Sequence, residues 1–506
     1  MTKEDVIIIG AGIGGLSCGA LLAHGGHKVT IFEKNPYIGG ACSSYIKDGY
    51  TFDRAVHLFT SGLNGPYGDL FERLGLDTLH FIKHINERTA MKIYKREGFF
   101  PFDINVYSLL KTMKPTSKKK SGESKGKSNR AGSSIMKGLK SMGMGKNTMK
   151  DFSRVMTSLM TATKRKIRIL YEEGLTVTEW INTMTEDPFI HGILAFLLAG
   201  MFSISPKKAS AAEFIYCFKD EMMATEGYQY PVKNGAQGIP NAMADAIKKF
   251  GGEIRTDSKV DQILIKGDKV QGVMVNDKLI EASIVISNLT LRMTALNLIG
   301  KDYLEKSYAQ RVAKLEPSLS SMTFKLALKE PIIKDWGFIN CYHPTLTDFA
   351  DKYPPDEGYP YSNGFFGPVL SNIDSNLAPP GGQSVIFGTL VPSKGPDWEK
   401  WKRVYWEDLH SFFPNLNEKL KFYDITYPKD LAKVTGKPAG PVEGLALTPK
   451  QTGKNKPSSI IPGIEDLFLV GDTAGKGAHG IGTQLACNSG IQVADVILGF
   501  KDINEI

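Results

Sequence analysis

Residues Val6–Glu33 read V-I-I-I-G-A-G-I-G-G-L-S-C-G-A-L-L-A-H-G-G-H-K-V-T-I-F-E, and each part of this stretch has its own physical job. Val6–Ile9 is an unbroken apolar run, the pattern of a strand covered on both faces. Gly10, Gly12 and Gly15 fall at G-x-G-x-x-G spacing, with Gly14 inside the same turn. The first permits a tight turn, the second lets backbone approach a pyrophosphate, and the third lets helix pack on strand. The helix that follows aims its N-terminal N–H groups and positive dipole end at phosphate. Glu33 closes the second strand 18 residues after Gly15, where a carboxylate accepts hydrogen bonds from ribose hydroxyls. A lone glycine triplet is a weak signal. Strand, turn, helix, second strand and acid in register predict a site for an adenine dinucleotide. The acid disfavours NADP, whose 2′-phosphate calls for an arginine, but does not separate NAD from FAD.

The next residues separate them. Lys34-Asn-Pro-Tyr-Ile-Gly39-Gly40-Ala41 leads into a second glycine pair. It resembles the extended motif of the FAD-dependent amine oxidase and phytoene desaturase superfamily, where a Gly-Gly turn passes close to the pyrophosphate and flavin. Gly49–Phe59, with Asp53, Arg54 and His57, resembles the strand and turn that bring the chain to the flavin in these proteins. Near the other end, Ile461–Asp472 ends in Gly471-Asp472. This resembles the superfamily's second FAD motif, whose Asp binds a ribityl hydroxyl. A glycine-rich turn containing His479, Gly480 and Gly482-Thr483 runs into an apolar-periodic helix. The positive end of that helix would face the flavin pyrimidine ring and stabilise the negative charge of reduced flavin. No cysteine-containing C-terminal attachment motif is present, so FAD held without a covalent bond is expected.

Because the two motifs lie at opposite ends, the cofactor unit must be discontinuous. Between them, Gly238-Ile-Pro240 opens a predicted helix, Asn241–Phe250, which Gly251-Gly252 ends. Strands are predicted around 253–255, 259–265, 271–275 and 284–287. This resembles the family's central segment, whose residue at Val260 pairs its backbone with adenine; Gln237 stands where these proteins often have Gly. The stretch 373–381 resembles the loop before a sheet strand in phytoene desaturases and retinol saturases. Together the motifs resemble the phytoene desaturase, carotenoid isomerase and retinol saturase family. The resemblance implies an α/β fold, with a discontinuous Rossmann-like FAD-binding domain of the amine-oxidase type (1–105, 228–288 and 456–506). The remainder (106–227 and 289–455) would be an α+β substrate domain with a mixed sheet and helical cap.

The composition is that of a globular chain too long for one core: 506 residues, 42% hydrophobic and 23% charged. Five cysteines, an odd number with none in C-x-x-C spacing, read as a reducing compartment without structural disulfides. Nine scattered histidines predict no metal. The start leads directly into the first strand, and the longest apolar stretch, Gly192–Ile204, is too short to span a bilayer. A cytoplasmic protein is therefore expected.

The net charge of +9 is local in origin. Lys111–Arg168 holds 17 Lys or Arg against two acids, and the rest of the chain is net negative. Thr116–Met149 is rich in Lys, Ser and Gly. Lys150–Tyr171 reads as one amphipathic helix, with Phe152, Val155, Met156, Leu159 and Met160 on its apolar stripe and Lys164–Arg168 at its end. Basic heads beside an apolar stripe predict peripheral contact with an anionic membrane surface. Nucleic acid is not expected, since no binding module is visible.

No second dinucleotide motif follows a strand, so electrons would pass to or from a quinone, oxygen, a redox protein or transiently bound NAD(P)H. The resemblance implies a lipophilic polyene or isoprenoid substrate, changed by hydride exchange at flavin N5 in a desaturation, saturation or isomerisation. His57 and His479, both beside predicted flavin turns, are the candidate proton donors or orienting groups. Two alternatives share the fold: a flavin amine oxidase, and a non-enzymatic prenyl-lipid carrier like the Rab escort and dissociation-inhibitor proteins.

Overall fold

The computed structural model describes residues 4–55, 59, 62–76, 91–95, 98–99, 145–219, 230–231, 234–334, 336–342, 364–391 and 397–506. His57 and most of the basic insertion, including Thr116–Met136, lie outside the described residues.

In chain order the strands begin with β1 (Glu4–Ile9), β2 (Val29–Phe32), β3 (Ser44–Lys47), β4 (Tyr50–Asp53), β5 (Met91–Lys95) and β6 (Gly98–Phe99). Next come β7 (Glu253–Arg255), β8 (Val260–Lys266), β9 (Lys269–Val275) and β10 (Lys278–Ser287). The last six are β11 (Ser320–Leu328), β12 (Phe338–Tyr342), β13 (Phe365–Pro368), β14 (Gln383–Val391), β15 (Leu420–Thr426) and β16 (Leu467–Leu469).

The first sheet has the order β7-β2-β1-β10-β9-β8, with β16 also on β10. Its parallel part pairs Ile8 with both Ile31 and Ile286, and Val285 with Leu467. The long β10 serves two layers: its first half pairs antiparallel with β9, its second half parallel with β1 and β16. Three segments far apart in sequence thus meet in one sheet. Helix α1 (Ile13–His24) is apolar all round because it is covered all round, and every residue from Ile13 to Ala23 is buried. A Cβ on Gly15 would lie 2.3 Å from the Gly10 carbonyl oxygen, so only glycine lets this helix sit so close to its strand.

The second sheet runs β15-β11-β14-β13-β12-β5-β6. It is antiparallel except where β12 lies parallel to β5. Its centre, β14, is buried throughout. The sequence reading groups 91–99 with the cofactor unit, yet β5 and β6 hydrogen-bond into this second sheet. The mixed α/β architecture with two sheets is the expected one.

The helical layer departs from expectation. The single helix read over 150–171 is two helices, α2 (Lys146–Met160) and α3 (Lys164–Glu173). Thr163 breaks it: its backbone is extended, and its hydroxyl accepts the Lys166 N–H at 3.2 Å as an N-cap. The stripe does not face outward either. Val155, Met156 and Leu159 are buried with Trp180, Ile190 and Leu194 in the chain's own core. An apolar stripe at helical spacing is satisfied equally by core or by lipid, and here the core takes it. Lys164, Arg165, Lys166 and Arg168 give α3 an exposed basic face, with Ile169, Glu172 and Glu173 exposed beside it. The apolar stretch around Gly192–Ile204 forms α4 (Pro188–Phe202), begun by Asp187, whose carboxylate accepts the Phe189 N–H at 2.9 Å. No helix among the described residues is long and apolar enough to cross a membrane. Helices α5 (Ala211–Cys217), α6 (Gly238–Lys249) and α7 (Gly482–Ile497) complete the elements that frame the site.

Candidate functional site

A cavity of about 210 Å³ lies between the two sheets. One wall is the turn before α1 (Gly12, Gly14), the Gly39-Gly40-Ala41 turn, and Gly471, Asp472, Gly482 and Thr483. The lining also takes Gly200 and Met201 from α4, Ser321 from β11, Phe366 from β13 and Gly388 from β14, together with Lys437 and Glu443. Ala55, delivered by β4, and Cys42 also line it. The two glycine turns are tied directly, Gly39 N–H to the Ala11 carbonyl at 2.7 Å. The N-cap residues of α1 and α7, Gly12 and Ile481, make no side-chain cap bond, and both helix starts line the cavity through Gly12, Gly14, Gly482 and Thr483; at α7 the first N–H goes to Glu443.

Glu33 stands at the end of β2 and is buried. Its two oxygens accept the N–H groups of Ala11 and Asn35, each at 2.8 Å. Burial pushes its pKa up, and these N–H donors oppose the rise. The residues leading into Val260 run beside it, with Ser258 N–H on the Glu33 carbonyl at 2.8 Å. Glu33 and Val260 therefore share one end of the first sheet, outside the cavity. Lys34 donates to the Lys433 carbonyl oxygen.

Asp472 follows β16. Its carboxylate accepts the Gly444 N–H at 2.8 Å and forms an ion pair with Lys437. Next to them the buried Glu443, on the cavity lining, accepts the Gly482 N–H at 3.0 Å. Burial and the Asp472 charge push the Glu443 carboxyl up to about 7, against the Lys437 ammonium and the Gly482 N–H. The sequence reading passed over Lys437 and Glu443. A lone acid inside the apolar Pro441–Leu447 stretch was the available signal for Glu443; nothing local marks Lys437.

His479 does not line the cavity. Its Nδ1 lies 3.3 Å from the buried Glu213 Oε1, and its ring stacks on Tyr216 with centroids 4.1 Å apart. Glu213 also accepts from the Tyr171 hydroxyl. Burial drives the Glu213 pKa up, but His479, Lys456 and Tyr171 outweigh it and hold the carboxyl below its ordinary value. Among the described residues no three His, Cys, Asp or Glu side chains gather as a metal site.

The walls suit a dinucleotide. A Cβ on Gly14 would stand 2.8 Å from the Gly471 nitrogen and 2.7 Å from the Asn288 amide oxygen, inside the space between the two turns. Glycine there lets the two turns pack in direct contact, and the backbone of Gly12, Gly39 and Gly40 borders the cavity beside the N-terminus of α1, the environment a pyrophosphate requires.

Residues 13–498 match the family model described as flavin containing amine oxidoreductase. The chain belongs to this family. It is an FAD-dependent oxidoreductase. Among curated proteins it is 25% identical to a 4,4′-diaponeurosporene oxygenase of Staphylococcus aureus, over 98% of both chains. Among solved structures, an oxidoreductase from Methanosarcina mazei superposes with a TM-score of 0.69 at 20% identity, covering 97% of this chain and 100% of that one. Putrescine oxidase bound to putrescine superposes with a TM-score of 0.66 at 13% identity, covering 98% and 99%. These two likenesses establish the shared fold.

Proposed function

We propose that this oxidoreductase acts on carbon–carbon bonds of a lipophilic polyene or isoprenoid, making, removing or isomerising a double bond. The observation that carries the reading is the part of the cavity lining supplied by α4 and the second sheet. Gly200, Met201, Phe366 and Gly388 present uncharged, mostly apolar surface to whatever meets the flavin there. The carotenoid-pathway relative supports the same substrate class. FAD, when bound, supplies two-electron chemistry at N5.

The chain's own residues do the rest. Gly12, Gly14 and Gly40 would bring the backbone to the pyrophosphate, on turns that Gly10, Gly15, Gly39 and Ala41 shape, with the Gly10 and Gly39 N–H groups spent on Phe32 and Ala11; Lys34 flanks this turn. Glu33 and the backbone at Val260 would hold the adenosine end, and Gly471 and Asp472 the ribityl chain. Gly482 and Thr483 would set the positive end of α7 against the pyrimidine ring. We assign the cofactor unit to the segments around the first sheet and the substrate unit to the second sheet and helical layer, with β5 and β6 in the latter. His479, held by Glu213 and Tyr216, acts as an orienting group for the 474–482 turn rather than as a proton donor. His57 remains the candidate donor. Contact with an anionic membrane rests on the basic face of α3.

The test is to purify the protein with its lipids, record its absorption spectrum and identify extracted lipids by mass. A flavin spectrum with a co-purified polyene or prenyl lipid is expected. Turnover of small amines in lipid-free buffer, with no lipid retained, would overturn the reading. Once substrate is known, reoxidation of the reduced protein by quinone, oxygen or NAD(P)⁺ identifies the electron partner.

A further inference from the structure

Glu443 is a buried acid on the cavity wall for which flavin binding alone gives no reason. Its backbone is locked to Ser318, which accepts the Glu443 N–H at 2.8 Å and returns its own N–H to the Glu443 carbonyl at 3.2 Å. Its side chain is aimed at the first N–H of α7. Asp472 lies beside it after β16, and Lys437 approaches from beyond the helix Pro428–Thr435. These are the charged groups that act on it; Gly482 N–H is the polar group it engages.

The charge count decides the behaviour of this cluster. Two carboxyl groups share one ammonium, and Lys437 is joined to Asp472. Glu443 has a helix N–H but no cation of its own among the described residues. Burial disfavours its charged form, and the N–H favours it. An acid so balanced responds to any new charge in the same low-dielectric cavity.

We propose that Glu443 is the proton acceptor that compensates flavin reduction: it takes up a proton from solvent when an electron pair enters the cavity and releases it when the pair leaves. The inference rests on the placement of flavin in this cavity proposed above. Two electrons come from the reductant, one proton accompanies them onto the flavin ring, and a second joins the Glu443 carboxylate. Two negative charges are then matched by two positive ones, and the cavity keeps its charge. A carboxyl that merely pins the start of α7 would pin it equally in both redox states and bind no proton on reduction.

The test is proton uptake by the FAD-loaded protein, reduced by dithionite at about pH 8 in weak buffer with an indicator dye, per flavin reduced. Above its pKa Glu443 is ionised in the oxidised state, so the wild type is expected to take up roughly one proton more than Glu443→Gln. Dithionite contributes equally to both. Equal uptake by two proteins of equal flavin content overturns the proposal and leaves the functional reading intact; a protein that binds no flavin removes the placement itself. Should the variant not fold, redox-difference infrared spectra of wild type with isotope-labelled glutamate carry the same test. A protonated glutamate carboxyl signal must appear on reduction, and its absence overturns the proposal.

Discussion

Glu213 Oε1 and His479 Nδ1 lie 3.3 Å apart, joining helix α5 to the glycine-rich turn that starts α7. The carboxylate is fully buried and is shared with Tyr171, while the charge of the buried Lys456, which donates to the Ala478 carbonyl, also acts on it. This is a charged clasp between the helical layer and the cofactor turn. Removing the acid leaves a buried ammonium and an imidazole without their carboxylate. Glu213→Ala is expected to destabilise the protein by about 3–5 kcal/mol in urea denaturation, with Glu213→Gln milder because it keeps hydrogen-bonding capacity. Loss of FAD affinity should accompany the alanine change. Unaltered stability and affinity in Glu213→Ala would show that the clasp holds nothing.

Gly15 offers a sharper steric test. Its missing Cβ would overlap the Gly10 carbonyl oxygen at 2.3 Å, and backbone cannot yield as a flexible side chain does. Gly15→Ala is expected to cost about 1–3 kcal/mol as overpacking and to displace the N-terminus of α1 from the cavity. Flavin absorbance per chain after gel filtration should fall well below that of wild type. A fully loaded, equally stable variant would contradict the packing account.

What the sequence made legible follows from how local each feature is. Gly10–Gly15, Glu33 and Gly471-Asp472 declare themselves because turn chemistry and strand pattern act over a few residues, and each stands at a strand end of the first sheet. Val260 could be placed only through a resemblance, since its approach to Glu33 spans more than 200 residues of chain. Glu443 and Lys437 stayed hidden because their chemistry comes from tertiary neighbours, Asp472 and the start of α7. The break at Thr163 was readable from an N-cap threonine, but an unbroken apolar periodicity masked it. That periodicity also could not say whether Val155 and Leu159 meet lipid or core, because burial rewards both alike.

The basic face of α3 and the apolar face of α2 can now be separated by experiment. Leu159 is fully buried, so Leu159→Ala is expected to cost about 2–5 kcal/mol of stability without a specific effect on vesicle binding by the folded protein. Replacing Lys164, Arg165, Lys166 and Arg168 with Glu should leave stability nearly unchanged, as expected of exposed side chains. The same change should abolish flotation with phosphatidylserine vesicles, and salt should weaken wild-type binding. Flotation undiminished by the charge reversal, or wild-type binding to neutral vesicles of equal strength, would remove membrane contact through this face.

Glu443 also predicts how stability depends on pH. Its carboxyl is raised from 4.5 to about 7 in the folded protein, by burial first and by Asp472 second. Between those two values the folded chain holds a proton that the unfolded chain has released. Stability therefore falls as pH rises through this window, because ionising Glu443 in place costs more than ionising it in water. The steepest slope from one such group is about 1.4 kcal/mol per pH unit. Below about pH 4.5 the group is protonated in both states and contributes no slope; above about pH 7 the penalty is complete. Glu443→Gln cannot ionise, so its stability relative to wild type should climb across the window and level off above it. Urea denaturation from pH 4.5 to 8 at constant excess FAD measures this difference. Parallel profiles for the two proteins would mean that Glu443 titrates alike when folded and unfolded, and the balance between Asp472, Lys437 and the start of α7 would have to be redrawn.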